Sequence, residues 1–503
     1  MQSVERWGVW ETKLRGPREG NPFTEQWLRV TVEGGQETKT VDGFYDGGGV
    51  YRARFMPSFE GTYRWNAQSS WGETAQGEFL AGPARPGNHG PVYVADQFHF
   101  AYADGTAYHP WGTTCYAWTY QDEAVRAQTL ETLKNSCFNK LRYCVFPKHY
   151  NFNFRDPDVF PYEGVPCPNE GMNEFNFEQW KPDDARNRWD FERFNPEYFR
   201  RLEACVSALQ ALEIQSDLIL FHPYDRWGFS LMTPEQDALY LRYMTARFAA
   251  FRSVWWSFAN EYDLMRKDVR RWERMAEELV QRDPYRRMRS IHNCFRMYDF
   301  TRPWITHASI QRTEVYKCAE FTDQWRGQFG KPVVIDENAY EGNLPLCWGS
   351  ISAQETARRF WETTLRGGYA THGETLLNPD GLLWWSHGGV LRGESEPRIR
   401  FLAELLERIG GQRLRSHCLH IEELCAVPDR ETDEPEFYLL YYGIGRPSWR
   451  DFSMGSDAFR VTAIDTWNMT ETPLGVMRGS FRVPLPAREY MAILLQRVKE
   501  ENE

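Results

Sequence analysis

The sequence predicts an α/β protein in which a (β/α)8 TIM barrel is flanked by an N-terminal and a C-terminal β-sandwich. Three observations support this fold class. The chain has 503 residues, which exceeds one ordinary domain. Both of its ends consist of short strand-like segments, and its middle alternates short apolar runs with amphipathic stretches. We therefore divide the chain into residues 1–85, 86–412 and 413–503.

The two flanking segments have the patterning of β-sandwiches. Near the start, residues 27–32 alternate apolar and polar side chains, and a glycine-rich turn at residues 43–49 precedes a strand at residues 50–55. The proline-rich residues 83–91 then predict a stiff linker. After residue 413 the strand pattern returns, with candidate strands at residues 436–443, 459–467, 480–485 and 490–495.

The middle segment contains eight candidate strands, and amphipathic helices are predicted between several of them, at residues 123–136, 196–212 and 353–366. The gap between the fifth and sixth strands leaves little room for a helix. The polar residues 150–190 predict a long loop after the second strand. The candidate strands lie at residues 110–116, 139–145, 215–221, 253–259, 289–293, 304–308, 332–336 and 368–373.

The composition argues against several classes of partner. The chain has 59 Lys and Arg against 70 Asp and Glu and no basic cluster, so neither a nucleic acid nor an anionic membrane is expected to bind. No apolar run approaches the roughly 20 residues of a membrane helix, and the start lacks a signal-peptide pattern, which favours a cytoplasmic protein. The 10 cysteines form no Cys-x-x-Cys pair, so no zinc site is expected. No His-x-x-x-His or mixed Asp/His ligand spacing occurs either, and no metal or other cofactor is expected. The sequence leaves open whether the chain forms a homo-oligomer.

Two candidate strands end in carboxylates. The fourth runs into Asn260 and Glu261, and the seventh runs into Asp336 and Glu337. Reactive side chains of a parallel barrel lie at the carboxyl ends of its strands, and the apolar run before Glu261 favours a raised pKa. Retaining glycosidases need two carboxyl groups roughly 5–5.5 Å apart. Helix capping or an arginine partner is an alternative role for Glu261. Asp336 is an alternative to Glu337, but it should point to the other side of its strand.

Two longer motifs carry a family resemblance. A fourth strand ending in Asn-Glu and a seventh ending in Glu resemble clan A glycoside hydrolases. More narrowly, residues 98–118, FHFAYADGTAYHPWGTTCYAW, and residues 331–342, KPVVIDENAYEG, resemble the apiosidase-like barrels with an N-terminal immunoglobulin-like domain and a C-terminal β-domain. The resemblance implies that Glu261 is the acid/base and Glu337 the nucleophile. It further implies that Asn260 binds the 2-hydroxyl of the sugar and that Arg142, at the end of the second strand, steadies the nucleophile.

Aromatic and polar residues at other strand ends are expected to bind the sugar. Trp118 and Trp385 follow strands one and eight, which are neighbours in a closed barrel, so we expect them to form a stacking platform. The alternative for both is core packing. The remaining expected contacts are Tyr116, His222, His307, Tyr340 and His372.

These observations predict a retaining glycoside hydrolase that acts by double displacement on a carbohydrate substrate. Exo action on small glycosides or oligosaccharides is inferred from the long loop and the expected cytoplasmic setting, because polymers do not reach the cytosol. Two alternatives stay open. One is a transglycosylase that uses the same carboxylates, and the other is a non-catalytic carbohydrate-binding protein.

Overall fold

A computed structural model describes residues 2–312, 316–432 and 434–498. The fully described residues 2–82 form a five-stranded and a three-stranded sheet that share one apolar core, which includes Trp10, Val30 and Phe79. The β domain predicted at the N-terminus is therefore confirmed. Its strands are Gln2–Glu5, Trp10–Arg15, Leu28–Gly34, Glu37–Asp42, Phe44–Tyr45, Val50–Phe55, Gly61–Ser69 and Thr74–Gly82.

The central domain is a parallel barrel, which confirms the predicted fold. Within the described residues it has eight strands that pair in the order β5-β4-β3-β2-β1-β8-β7-β6. A single bridge between His292 and Ser309 joins the two ends of this sheet. The strands are β1 (Gly112–Thr114), β2 (Lys140–Cys144), β3 (Gln215–Phe221), β4 (Val254–Ala259), β5 (Arg289–Ser290), β6 (Ala308–Gln311), β7 (Val333–Glu337) and β8 (Tyr369–His372).

Helices cover the outside of the barrel, and several begin where the sequence provides a capping residue. Asn195 and Thr233 each accept a backbone N–H of the first helical turn and are each followed by proline. Residues 291–307, all of which are described, contain no helix, in agreement with the short gap noted in the sequence. The helices are α1 (Glu123–Lys134), α2 (Pro196–Ala211), α3 (Pro234–Phe248), α4 (Val269–Arg282), α5 (Thr322–Phe329), α6 (Ala353–Leu365), α7 (Trp384–His387) and α8 (Ser395–Ile409).

None of the helices in the described part of the chain is long and apolar enough to cross a membrane. The expected long loop after β2 contains a hairpin, Tyr162–Val165 paired with Arg188–Phe194. Three short strands, Val92–Val94, Phe100–Tyr102 and Ala107–Tyr108, pack against Trp255 and Val334 near the amino ends of β4 and β7. Loops form the opposite, carboxyl end of the barrel.

The barrel interior is ionic as well as apolar. Lys140 Nζ lies 2.9 Å from Asp217 Oδ2 and 2.7 Å from Asp336 Oδ1, and Arg142 lies 3.5 Å from Asp217. All four side chains are buried. A buried ion pair is tolerated only where charges and hydrogen bonds are matched, and Ser309 and Thr371 complete the set by donating to Asp336. This network lies directly beneath the residues that follow β4 and β7.

The C-terminal β domain is also confirmed. Its strands form one continuous antiparallel sheet of six strands in the described residues. One face packs on the barrel, where Tyr441 stacks on Trp361 of α6 at 5.1 Å. The long hairpin contributes Phe452 and Val483 to a separate core on the other face. The strands are Leu414–Ser416, Leu424–Pro428, Phe437–Tyr441, Trp449–Asp465, Thr470–Pro484 and Met491–Arg497.

Candidate active site

Glu261 follows β4, whose six residues are all buried as expected for a parallel strand. The chain turns sharply at this residue, which adopts a left-handed conformation with φ of 50°. Such strain in a non-glycine residue is concentrated at functional sites. Two residues later, Asp263 accepts backbone N–H groups from Cys294 at 2.6 Å and Phe295 at 2.8 Å. This contact fixes the loop after β5 beside Glu261.

Glu337 ends β7 at a register shift in its pairing with β6. The shift separates it from Asp336, which points into the barrel interior and is bound there by Lys140. The charges of Lys140 and Arg142 hold the pKa of Asp336 well below its usual range in spite of burial. Asp336 is therefore an internal counter-ion, and Glu337 is the carboxylate that reaches the cavity above it.

Glu261 and Glu337 line one cavity of about 260 Å³. Nine side chains around it come from loops at the carboxyl ends of β2, β3, β5, β7 and β8. Both glutamates were predicted to lie together, and both are found at this end of the barrel. The other lining residues are Lys148, Tyr150, Tyr224, Leu264, Cys294, Phe295, Gln311, Arg312, Ala339, Tyr340, Trp348 and Trp385.

The two carboxyl groups have opposite electrostatic surroundings. Burial, together with the negative charge of Glu337, raises the pKa of Glu261 above its usual value, although Tyr224 and Gln311 donate hydrogen bonds to it. For Glu337, burial is outweighed by His292, whose Nε2 lies 3.5 Å from Oε1, by Lys148 and by Tyr116. These groups lower the pKa of Glu337 to about 2. One carboxyl group is thus set to carry a proton and the other to stay ionised.

Aromatic rings form much of the wall. Trp385 lies at 5.1 Å from Trp348 between ring centroids and meets Tyr116 edge to face at 6.0 Å. The hydroxyls of Tyr116 and Tyr340 are 3.3 Å apart, and that of Tyr116 donates to Glu337 at 2.7 Å. An apolar ring face beside directed hydroxyls is the combination that binds a sugar ring.

Arg142 and Asn260 lie beneath the cavity wall as a pair. The Arg142 guanidinium donates to Asn260 Oδ1 at 2.8 Å and to Ser257 Oγ at 2.9 Å, and both residues are fully buried. Arg142 orients the amide of Asn260. Its positive charge lies in the barrel interior near Asp217 and Asp336.

Four residues that we expected at the site lie elsewhere. Trp118 turns into the helix layer and meets Tyr143 edge to face at 5.8 Å, so it is a core residue and not part of a stacking platform. His222 donates through Nε2 to the Phe146 carbonyl oxygen at 3.1 Å, and burial lowers its pKa to about 3. Neither residue lines the cavity.

His307 and His372 are also displaced. The sixth strand begins at Ala308, not at residue 304, so His307 precedes it and packs at 5.2 Å on Trp255, near the amino end of the barrel. His372 ends β8 but faces outward, stacked on Phe138 at 4.8 Å and hydrogen-bonded to Thr113. Burial next to apolar rings explains the low pKa of both imidazoles, about 4 and about 3.

Several site residues were missed in the sequence. His292 could have been found, because it lies near the carboxyl end of the predicted fifth strand. Lys148 and Tyr150 lie just beyond the second strand. Tyr150 begins the segment that we described only as a long loop, and Lys148 shortly precedes it. Trp348 comes from the segment after β7 and has no local signal. The described residues contain no group of three or more His, Cys, Asp or Glu arranged to hold a metal ion.

Comparison with known families and structures agrees with this architecture. The model of the apiosidase-like catalytic domain matches residues 96–375. Two domains of unknown function, DUF5060 and DUF5605, match residues 3–70 and 425–496. No protein of the curated set matches the sequence.

A candidate glycoside hydrolase from Bacteroides vulgatus ATCC 8482 is 35% identical, and its structure matches with a TM-score of 0.89 over 99% of this chain and 100% of that chain. A family 5 glycoside hydrolase from the same organism is 11% identical and shares the fold, with a TM-score of 0.59 over 82% of this chain and 95% of that chain. Because the catalytic-domain model spans more than half of the sequence and the first relative spans nearly all of it, the chain belongs to the apiosidase-like family of glycoside hydrolases.

Proposed function

We propose that the chain is a retaining glycoside hydrolase in which Glu337 is the nucleophile and Glu261 the acid/base. The observation that carries the proposal is that two carboxyl groups line one cavity while their surroundings shift their pKa values in opposite directions. A protonated and an ionised carboxyl group are what double displacement at an anomeric carbon requires.

In the first step, Glu337 attacks the anomeric carbon while Glu261 gives its proton to the departing glycosidic oxygen, leaving a glycosyl ester on Glu337. In the second step, Glu261 takes a proton from water, and the resulting hydroxyl displaces Glu337 from the anomeric carbon. Tyr116 and His292 hold Glu337 in its ionised form, and Tyr224 and Gln311 orient Glu261.

The proposed substrate is a small glycoside or oligosaccharide cleaved from its end. A cavity of about 260 Å³ has room for few sugar rings, which supports exo action. Asn260, oriented by Arg142, is the residue proposed to meet the 2-hydroxyl. Trp385 and Tyr340 are proposed as sugar contacts because both line the cavity.

The test begins with wild-type turnover of a panel of aryl pyranosides and furanosides, with the anomer of the first product followed by NMR. Retention is expected. Glu337→Ala should lose activity by several orders of magnitude and regain part of it with azide, giving a glycosyl azide of inverted configuration. Glu261→Ala should keep activity only on aryl glycosides with acidic leaving groups, which need no proton.

Glu341→Gln is the matched control for these variants. Glu341 is a buried glutamate of the same segment, but it accepts backbone N–H groups of Glu394 and Ser395 at the start of α8. Azide should give it no gain. Inversion of the anomeric centre by the wild-type enzyme, or near-normal turnover of Glu337→Ala without azide, would contradict the assignment. Transfer of the glycosyl group to added alcohols in preference to water would indicate a transglycosylase.

A further inference from the structure

Lys148 has an unusual position for a lysine. It follows β2 on the loop above the barrel, is 3% exposed, and lines the same cavity as Glu261 and Glu337. Burial lowers the pKa of its ammonium group, whereas the charges of the two glutamates raise it. Burying an ammonium group is costly unless something compensates for the lost water.

Aromatic rings compensate for part of that loss. The ammonium nitrogen lies 4.1 Å from the ring centroid of Tyr116, 4.2 Å from that of Tyr224, 4.7 Å from that of Trp385 and 5.5 Å from that of Tyr150. Attraction to the faces of these rings stabilises a cation. However, the rings do not neutralise its charge as a carboxylate would, and its N–H donors stay unused.

The other buried lysines of the barrel are paired differently. Lys140 is held by Asp217 and Asp336, and Lys267 is held by both oxygens of Asp237 at 3.0 Å. Lys148 makes no hydrogen bond or ion pair with any described residue through its ammonium group. Its donors therefore face the cavity, where a ligand would lie.

The unused N–H donors of Lys148 favour an anionic partner. Glu337 attracts the ammonium group by its charge but accepts no hydrogen bond from it. A neutral glycoside would offer these donors only uncharged oxygens once water is displaced. An acidic group on the sugar would accept shorter and stronger, charge-assisted hydrogen bonds.

We propose that Lys148 binds an anionic substituent of the substrate, a uronate carboxylate or a sulfate ester, and that the enzyme therefore acts on acidic glycosides. This inference rests on the proposed function and names its substrate class. The competing role for Lys148 is purely electrostatic support of Glu337. That role would affect acidic and neutral substrates equally, so selectivity between them is the decisive measurement.

The experiment compares kcat/KM for matched 4-nitrophenyl glycosides in both anomeric forms. The glucuronides and galacturonides are set against the glucosides and galactosides, and against their 6-sulfates, which separates carboxylate from sulfate recognition. The wild-type enzyme should prefer an acidic member over its neutral partner by about tenfold to a hundredfold, the range expected for hydrogen bonds to a charged group.

Lys148→Met fills the aromatic cage without a charge and should reduce this acidic-to-neutral ratio at least about tenfold. Lys148→Arg should keep part of it. Lys134→Gln is the control, since Lys134 is an exposed lysine on α1 with only Glu131 near it at 3.9 Å. A ratio unchanged in Lys148→Met, or a wild-type enzyme that prefers neutral glycosides, would overturn the inference while leaving the proposed hydrolase intact.

A binding measurement decides the matter independently of turnover and of how the variants fold. D-glucuronate, D-galacturonate and the 6-sulfates of D-glucose and D-galactose are titrated calorimetrically into the wild-type enzyme and compared with D-glucose and D-galactose. Tighter binding of an acidic sugar supports the inference, and equal or weaker binding refutes it. Failure of the wild-type enzyme to cleave any glycoside of the panel would count against the proposed function instead.

Discussion

Tyr116 donates a hydrogen bond through its hydroxyl to Oε1 of Glu337 at 2.7 Å, and its ring also contacts the Lys148 ammonium. Tyr116→Phe removes the first contact and keeps the second. Since a hydrogen bond to a charged group contributes about 1.5–3 kcal/mol, the pKa of Glu337 should rise and kcat/KM should fall about tenfold to a hundredfold. Steady-state kinetics across pH would measure both. If the fall of kcat/KM at low pH is the same in Tyr116→Phe as in the wild-type enzyme, this hydroxyl does not stabilise the ionised form of Glu337.

The pH dependence of kcat/KM should be set by the two glutamates. The reactive form needs Glu337 ionised, which holds above its lowered pKa of about 2, and Glu261 protonated, which holds below its raised pKa. Activity should therefore be lost on the alkaline side as Glu261 gives up its proton, at a pH above the ordinary range for glutamate. In Glu261→Gln, assayed with an acidic leaving group, the alkaline limb should disappear. If kcat/KM still falls on the alkaline side in this variant, the titration belongs to a group other than Glu261.

Trp385 and Trp118 form a matched pair for testing the sugar platform. Trp385→Ala should raise KM roughly twofold to tenfold, because the ring lines the cavity and an aromatic contact contributes about 0.5–1.5 kcal/mol. Trp118→Ala should instead lower the free energy of unfolding by about 3–5 kcal/mol, since this ring is wholly buried in the core. Denaturant unfolding and kinetics per folded molecule separate the two effects. The reverse pattern would place Trp118 at the sugar.

Asp336 should matter for stability rather than chemistry. Asp336→Asn leaves the Lys140 ammonium with only Asp217 and should cost about 3–5 kcal/mol of unfolding free energy. Glu78→Gln, which breaks an exposed pair with Arg64 at 3.1 Å, should cost about 0–1 kcal/mol. Urea titration would measure both. If azide restores activity to Asp336→Asn, Asp336 rather than Glu337 is the nucleophile.

The barrel could be predicted from sequence where its strands are long and buried. Strands such as β3 and β4 contain apolar runs, at residues 218–221 and 254–256, and are buried along their whole length because they are covered on both faces. The sixth strand was placed four residues too early. Trp304 and Ile305 are buried core residues but belong to the loop before the strand, and burial alone does not reveal extended pairing.

The two glutamates could be predicted because a strand end is a local feature. The cage around Lys148 could not, since its rings come from segments near residues 116, 150, 224 and 385 that only the closed barrel brings together. Trp118 shows that the position of a residue after a strand does not predict where its side chain points. Its position after β1 was correct, but a side chain's direction in the turn that follows a strand depends on packing with Tyr143, which lies on a different strand.

The single bridge that closes the barrel joins His292 to Ser309, and the same histidine faces Glu337. Ser309 in turn donates to Asp336, the neighbour of Glu337 in sequence. The bridge therefore closes the barrel and also places His292 beside Glu337. Because this bridge places the imidazole that favours the ionised form of Glu337, we expect closure of the barrel and assembly of the catalytic site to occur together.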